Sequence, residues 1–213
     1  PPTACAEPPP PPTGSAAAPD TLSEWELPRA RSAGVQPGHV YFVATPIGNL
    51  DDLTFRAVRA LRDADVIAAE DTRVTAALLR YVGAYSGPRK PLLVAHHEHN
   101  LNASVPRLVR HALEGRSVAV VSDAGTPGIS DPGAALAAAL AAARVPCVPL
   151  PGACAALAAL SISGFATPEW TFGGFLPRAG RARRERIAAL AAEDRAVVLY
   201  EAPHRLRATL SDL

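Results

Sequence analysis

From Gly38 onward the chain alternates short apolar segments with longer segments whose apolar residues recur every three or four positions. The short segments predict β-strands, and the periodic ones predict amphipathic helices. The predicted strands are Val40–Ala44, Val66–Ala69, Leu92–Ala95, Val118–Val121 and Cys147–Leu150. Since strands that alternate with helices form a parallel sheet with helices on its faces, the sequence predicts an α/β fold.

The predicted helices carry their apolar residues on one face. In the second helix these residues are Val74, Ala77, Leu78 and Tyr81, at the i, i+3, i+4, i+7 spacing of a helix that packs against a core. These residues mark the helix that follows the strand Val66–Ala69.

Loops rich in glycine, proline and polar residues follow four of these strands. They are Thr45–Leu50, Glu70–Arg73, Ser122–Asp131 and Pro151–Ala155, named loops 1, 2, 4 and 5 after the strand that each one follows. Because the carboxyl ends of parallel strands meet at one edge of a sheet, we expect the four loops to converge there on a ligand. Neither G-x-G-x-x-G nor the P-loop pattern occurs, so the usual nucleotide motifs are not supported.

Loop 4 carries the strongest indication of ligand binding. Gly125 and Gly128 allow the backbone to approach a ligand closely, and the hydroxyl and carboxyl side chains of the loop can form hydrogen bonds. Asp131 followed by Pro132 predicts the N-cap and first turn of the next helix. An ordinary tight connection between a strand and a helix is the alternative interpretation.

Composition narrows the function classes. The net charge of +1 gives no overall field that attracts nucleic acid, so any basic surface is local, and it consists of arginines because Lys90 is the only lysine. The three cysteines lack the spacing of a zinc site or a disulfide framework, which suits a reducing compartment. The longest strictly apolar run, residues 134–143, is about half of what a bilayer requires, so we expect no membrane association.

Residues 1–37 form a proline- and alanine-rich leader without apolar periodicity, and we expect it to be disordered. The leader lacks the apolar stretch of a secretory signal, and its acidic residues are atypical of a transit peptide. We therefore expect a cytoplasmic protein, with the plastid stroma as the alternative if the leader is a targeting remnant.

Seven motifs between Gly38 and Leu213 occur in the order and spacing of a known family. They are Val43-Ala-Thr-Pro-Ile-Gly-Asn-Leu, Ala69-Glu-Asp-Thr-Arg, Val121-Ser-Asp-Ala-Gly-Thr-Pro, Ser130-Asp-Pro-Gly, Pro149-Leu-Pro-Gly, Gly174-Phe-Leu-Pro and Tyr200-Glu-Ala-Pro-His-Arg. With these motifs the chain resembles the ribosomal RNA small subunit methyltransferase I family. The leader lies outside the resemblance.

The resemblance implies an S-adenosylmethionine-dependent enzyme that methylates the ribose 2′-hydroxyl of a cytidine in the decoding region of small-subunit rRNA. It implies the tetrapyrrole methylase type of fold, with two α/β domains, the cofactor in the cleft between them, and commonly a homodimer. We place the domains at residues 38–150 and 151–213, and expect the second to lack the last strands and helix of the family. The partners implied are small-subunit rRNA or the small ribosomal subunit.

The resemblance also implies which residues contact the cofactor. By position in loops 1, 4 and 5 and after a late strand, they are Ile47, Gly48, Ala124, Gly125, Thr126, Ile129, Cys154, Ala155 and Glu201. Because a methyl group on a sulfonium needs no Lewis acid, proximity and orientation can supply most of the acceleration, and we expect no metal.

Removal of the ribose proton calls for a carboxylate or an imidazole. Glu70, Asp71 and His99 are the candidates, and Arg73 could hold a neighbouring phosphate. Asp71 is equally typical of a helix N-cap. The histidines around His99 have an H-x-x-H spacing but follow a strand, which favours a polar loop that faces the substrate over a zinc site.

Arginines crowd the start of a late predicted helix, and we expect four of them to bind RNA: Arg178, Arg181, Arg183 and Arg184. Cations are unfavourable at a helix N-terminus, so a phosphate partner explains them better than a solvated helix face does. Two other functions remain open. One is a methyltransferase of tetrapyrrole or corrinoid precursors, and the other is a non-catalytic RNA-binding assembly factor of the same fold.

Overall fold

The computed structural model describes residues 34–85, 90–131, 133–165 and 168–213. Most of the predicted leader lies outside these ranges, and so does Pro132, the predicted first-turn proline. The division into two domains near residue 150 stays a prediction.

The first sheet has five parallel strands. They are β1 (Val40–Val43), β2 (Val66–Ala69), β3 (Leu92–Ala95), β4 (Val118–Val121) and β5 (Cys147–Leu150). Their order across the sheet is β3-β2-β4-β1-β5. All five predicted strands are confirmed; β1 ends one residue earlier than predicted, because the chain turns there toward a backbone bridge between Thr45 and Gly125.

Four helices cover the two faces of this sheet. They are α1 (Phe55–Asp63), α2 (Thr72–Tyr81), α3 (Leu101–Leu113) and α4 (Gly133–Ala142). Because side chains alternate along a strand, Tyr41 and Val43 pack with α1 and α2, while Val40 packs with α3 and α4. The neighbouring strands β1 and β4 are thus followed by helices on opposite faces, which opens a crevice at the carboxyl edge of the sheet.

Helix α2 packs against the core through only part of its apolar face. The residues that α2 buries are Thr75 and Leu79, whereas Val74 and Ala77 are exposed. Leu78 and Tyr81 are partly buried and pack against the same core. Val74 and Ala77 therefore remain accessible beside loop 1.

The rest of the described chain forms a smaller α/β unit. It contains α5 (Ala155–Ile162), β6 (Trp170–Phe175), α6 (Gly180–Ala191), β7 (Ala196–Tyr200) and α7 (Leu206–Asp212). Strands β6 and β7 pair in parallel as a two-stranded sheet. The Tyr200 ring, at the end of β7, packs against Phe172 and Phe175. None of the helices in the described ranges has the length and apolar character needed to cross a membrane.

Helix α4 consists of glycine and alanine except for two leucines, Leu136 and Leu140, and both are fully buried. We predict that Leu136→Ala lowers the free energy of unfolding by about 2–5 kcal/mol, because it leaves a cavity between α4 and the sheet. Chemical denaturation measures this value. Leu113→Ala, at the exposed end of α3, is the control, with an expected change within about 0.5 kcal/mol; equal losses in the two variants would contradict this account of the packing.

Candidate active site at the carboxyl edge of the sheet

Loops 1 and 4 are joined by a two-residue antiparallel bridge. The Thr45 N–H donates to the Gly125 carbonyl (2.9 Å), and the Gly125 N–H donates to the Thr45 carbonyl (3.1 Å). The buried Thr45 hydroxyl also donates to the Ser122 carbonyl at 3.1 Å. Gly125 has a φ of +86°, a conformation that favours glycine. The bridge therefore fixes both loops as one rigid unit.

Loop 5 is attached to the same unit. The Thr126 hydroxyl of loop 4 donates to the Ala153 carbonyl at 3.0 Å. A Cβ on Gly152 would lie only 2.8 Å from the Ala44 Cβ, so loop 5 passes the end of β1 at a distance that only glycine allows. The predicted convergence of these three loops is confirmed.

Eight of the nine predicted cofactor positions lie on these three loops. Two of them expose large apolar side chains beside the backbone bridge: Ile47 is 36% exposed and Ile129 is 41% exposed. Gly48 and Ala124 are also exposed. Apolar side chains next to polar backbone groups are typical of a surface that an organic ligand covers.

The ninth position, Glu201, has another environment. Its side chain is only 5% exposed, and its carboxylate accepts hydrogen bonds from the Thr209 hydroxyl (2.5 Å) and the Ala202 N–H (2.8 Å). Arg205 lies 3.2 Å away as an ion-pair partner. These partners, the Thr209 bond above all, lower the pKa of Glu201. The contacts of Glu201 anchor α7 to the end of β7.

Tyr200 is a site residue for which the sequence motif gave no role. Its hydroxyl accepts a hydrogen bond from the Ala156 N–H at 3.3 Å and lies 4.0 Å from the Cys154 sulfur. Burial raises the pKa of Tyr200. The smaller sheet is thereby connected to the start of α5, next to Cys154 and Ala155.

Loop 2 is linked to loop 4 by two backbone-to-carboxylate hydrogen bonds. The Asp123 N–H donates to Glu70 Oε2 (3.1 Å), and the Asp71 N–H donates to Asp123 Oδ1 (3.0 Å). The structure therefore brings the predicted catalytic residues of loop 2 beside the predicted cofactor loops.

Asp71 is the N-cap of α2, as the alternative interpretation has it. Its Oδ1 accepts from the Arg73 N–H at 2.8 Å, and its Oδ2 forms an ion pair with the Arg73 guanidinium at 2.6 Å. The hydrogen bonds from Arg73 hold the pKa of Asp71 well below its usual range, which makes this carboxylate a weak base. The Arg73 side chain is 89% exposed at the rim of the crevice.

Asp131, predicted only as an N-cap, has the opposite electrostatic character. Burial raises its pKa to about 6, and the negative charges of Glu70 and Asp123 act in the same direction, against a hydrogen bond from Ser122. A pKa close to neutrality is typical of residues that transfer protons. The sequence does not indicate this raised pKa, because the burial of Asp131 and its proximity to Glu70 arise only in the folded chain.

The backbone around Asp131 is tightly constrained. Ser130, the preceding residue, has a φ of +68°, which is unusual for a residue with a side chain. A Cβ on Gly133 would lie 2.8 Å from the Gly128 nitrogen, so the first turn of α4 rests on the loop 4 backbone. Strained conformations of this kind persist where the surrounding structure enforces them, often at functional sites.

His99 follows β3, which bears none of the predicted cofactor loops. It belongs to a 3₁₀ turn, Glu98–Asn100, that follows β3. Because β3 is the edge strand, β2 and β4 separate it from β1 and β5. Among the described residues no group of three histidine, cysteine, aspartate or glutamate side chains is placed to hold a metal ion.

The arginines near α6 do not form one equivalent set. Arg178, Arg181 and Arg184 are exposed, and Arg181 pairs with Glu185 at 2.6 Å. Arg183, in contrast, is buried, so its predicted RNA contact is corrected to a structural role.

The Arg183 guanidinium donates to Asp212 (2.8 Å), to the Thr209 hydroxyl (2.9 Å) and to the Pro177 carbonyl (3.0 Å). These bonds attach α7 to α6, and they occupy the groups that would otherwise bind a phosphate.

Relatives of known name match most of the described chain. Proteins named ribosomal RNA small subunit methyltransferase I are 49% identical over 83% of the chain in Synechocystis sp. and 43% identical over 86% of it in Escherichia coli O157:H7. The chain spans 61% and 62% of the length of these two relatives. The resemblance drawn from the seven motifs is confirmed.

Solved structures show the same fold at lower identity. Diphthine synthase is 16% identical with a TM-score of 0.57, over 82% of this chain and 71% of that one. Uroporphyrin-III C-methyltransferase from Thermus thermophilus, complexed with S-adenosyl homocysteine, is 21% identical with a TM-score of 0.54, over 82% and 74% of the two chains. The tetrapyrrole (corrin/porphyrin) methylase family matches residues 39–213. The chain belongs to this family.

Proposed function

We propose that this chain binds S-adenosylmethionine on loops 1, 4 and 5 and transfers its methyl group to the ribose 2′-hydroxyl of a cytidine in small-subunit rRNA. The observation that carries the proposal is the rigid unit of bridged loops beside exposed Ile47 and Ile129. The names of the relatives support the RNA substrate.

The residues of the loops suit this cofactor. Gly125 and Gly48 have positive φ angles and no side chain, so backbone groups can contact a ligand directly. Ile47 and Ile129 offer apolar contacts to an aromatic base, and Ala155 lies at the start of α5, next to the Tyr200 contact. When bound, S-adenosylmethionine supplies an electrophilic methyl group; the loops contribute position and orientation.

The carboxylates of the crevice have different roles in substrate binding and proton transfer. Asp71 stays ionised and orients Arg73 toward a substrate phosphate. Glu70 holds the Asp123 N–H and thereby fixes the position of Asp123. Asp131, next to Ser122 and Glu70, is the group that accepts the ribose proton, because its pKa of about 6 lets it do so near neutral pH. We therefore assign the proton transfer to Asp131 rather than to Glu70, Asp71 or His99.

Partners are proposed on the same basis. Arg178 and Arg184 are exposed near the start of α6, where phosphates of small-subunit rRNA would balance their charge. The homodimer stays part of the proposal; the strongly exposed Ile162 and Phe165, at the end of α5 and after it, offer apolar surface for it.

We predict that Gly125→Ala weakens S-adenosylmethionine binding at least about tenfold in calorimetry, because the added methyl group blocks the backbone approach. The matched control is Gly115→Ala in the turn after α3: Gly115 has a φ of +83°, against +86° for Gly125, and open space around it. Both variants pay a similar conformational cost, about 1–3 kcal/mol, but only Gly125→Ala loses affinity. Equal affinities would remove loop 4 from the cofactor site.

The methylation rate is predicted to rise with pH around a midpoint near 6, as Asp131 ionises. Asp131→Asn should lower the single-turnover rate by about 100- to 10,000-fold and abolish the rise. Asp63→Asn, at the exposed end of α1, is the control. An unchanged pH profile in Asp131→Asn would assign the proton to another group.

The pH dependence of stability tests the raised pKa of Asp131 independently of methylation. Its folded-state pKa is raised, so its contribution to stability is complete below the ordinary value of 3.8 and is lost as the pH rises through about 6. Asp131→Asn should therefore have the higher melting temperature at pH 7.5 but no advantage near pH 3.5.

Phosphate binding is tested through salt dependence. Replacing Arg178 and Arg184 with alanine should reduce the slope of log affinity for rRNA against log salt by about two units, one for each lost contact. The control replaces the exposed Arg107 and Arg110 of α3. Equal slopes for the two double variants would mean that the α6 arginines belong to a solvated helix face and do not bind phosphate.

A further inference from the structure

A small pocket, here called the α2 pocket, lies between loop 1 and the apolar face of α2. Leu50 and Val74 form its walls together with Ala77 and Leu78. On this face Val74 and Ala77 are exposed, while Leu78 and Tyr81 are partly buried against the core. The four residues, at i, i+3, i+4, i+7 spacing, line a cavity next to the candidate active site.

The size of the α2 pocket suits a single flat ring. Its volume is about 240 Å³, below the roughly 300–1,000 Å³ of pockets that hold drug-sized molecules. Leu50 and Val74 in its lining are exposed, and an aromatic ring that covers such side chains buries a large apolar area.

One side of the pocket is polar and fixed in place. The buried Ser122 and the exposed Asp123 line it there. Asp123 cannot swing away, because its Oδ1 accepts from the Asp71 N–H at 3.0 Å and its own N–H donates to Glu70 at 3.1 Å. A carboxylate accepts several hydrogen bonds, and it is the side-chain group that pairs with the exocyclic amino group of cytosine. The carbonyl oxygen that uracil has at the same position would be repelled.

The pocket is contiguous with the proposed cofactor loops. Thr45, which forms the bridge to Gly125, lines it, and so does Ser122, which bonds to Asp131. Arg73 immediately precedes Val74, and its guanidinium is exposed at the rim of the crevice. A nucleotide with its base in the pocket would have its ribose near the loops and a phosphate within reach of Arg73.

We propose that the α2 pocket receives the base of the target nucleotide, swung out of its RNA stack, and selects an amino-bearing pyrimidine through Asp123. Enzymes that modify one nucleotide commonly extrude it in this way. The inference rests on the proposed methyl transfer to rRNA, and it adds the subsite that chooses the nucleotide.

The first test fills the pocket. Ala77→Phe places a ring in the pocket from the exposed side of α2. The control, Ala138→Phe, adds the same ring outside the pocket, at an exposed position in the middle of α4. We expect Ala77→Phe to lower single-turnover methylation of small ribosomal subunits by about 100-fold with unchanged S-adenosylmethionine affinity, because the reacting ribose is displaced. Ala138→Phe should match the unaltered protein. If Ala77→Phe lowers the melting temperature, Val74→Phe replaces it.

The second test measures nucleotide binding in the pocket without methyl transfer. In saturation-transfer NMR with S-adenosylhomocysteine present, cytidine 5′-monophosphate should receive a signal about tenfold stronger than that of uridine 5′-monophosphate. The signal should disappear in Ala77→Phe. Asp123→Asn should lose the discrimination, because an amide also donates to the uracil carbonyl.

The outcomes separate the two proposals. Equal signals for the two nucleotides, or wild-type methylation by Ala77→Phe, would overturn the pocket assignment while leaving the methyltransferase intact. Failure of the unaltered protein to bind S-adenosylmethionine or to methylate the subunit would instead overturn the proposed function.

Discussion

The backbone bridge between Thr45 and Gly125 is the interaction on which the site depends. It links the loops that follow β1 and β4, and it sets the position of loop 4, from which Thr126 holds loop 5 and Asp123 holds loop 2. Hydrogen bonds between backbone groups tolerate almost any side chain, but the positive φ of Gly125 does not. The conformation of one glycine therefore determines whether four loops meet at one place.

Once the loops meet, several carboxylates lie close together, and they differ in their contacts and burial. Asp71 is neutralised by Arg73 and caps α2, while Glu70 and Asp123 are held by backbone N–H groups. Asp131 is partly buried near the charges of the others, so its proton is bound more tightly. Burial, reinforced by repulsion from the neighbouring charges, thus raises the pKa of one carboxyl group toward neutral pH.

The sequence predicts the sheet well, because the apolar strands and their spacing depend on local pattern alone. It predicts the convergence of the loops from the rule for parallel sheets. It fails where the answer depends on contacts between distant residues. Arg183, for example, is buried because Thr209 and Asp212 lie beside it, and the pKa of Asp131 is raised because the folded chain buries it near Glu70.

The central claim is that the crevice transfers a methyl group to a ribose hydroxyl of small-subunit rRNA. The most direct measurement incubates the protein with unmodified small ribosomal subunits and isotopically labelled S-adenosylmethionine, digests the RNA to nucleosides, and identifies the labelled nucleoside by mass spectrometry. The account predicts that the label appears in 2′-O-methylcytidine. Label on a base, on ribosomal protein alone, or in no product would contradict it.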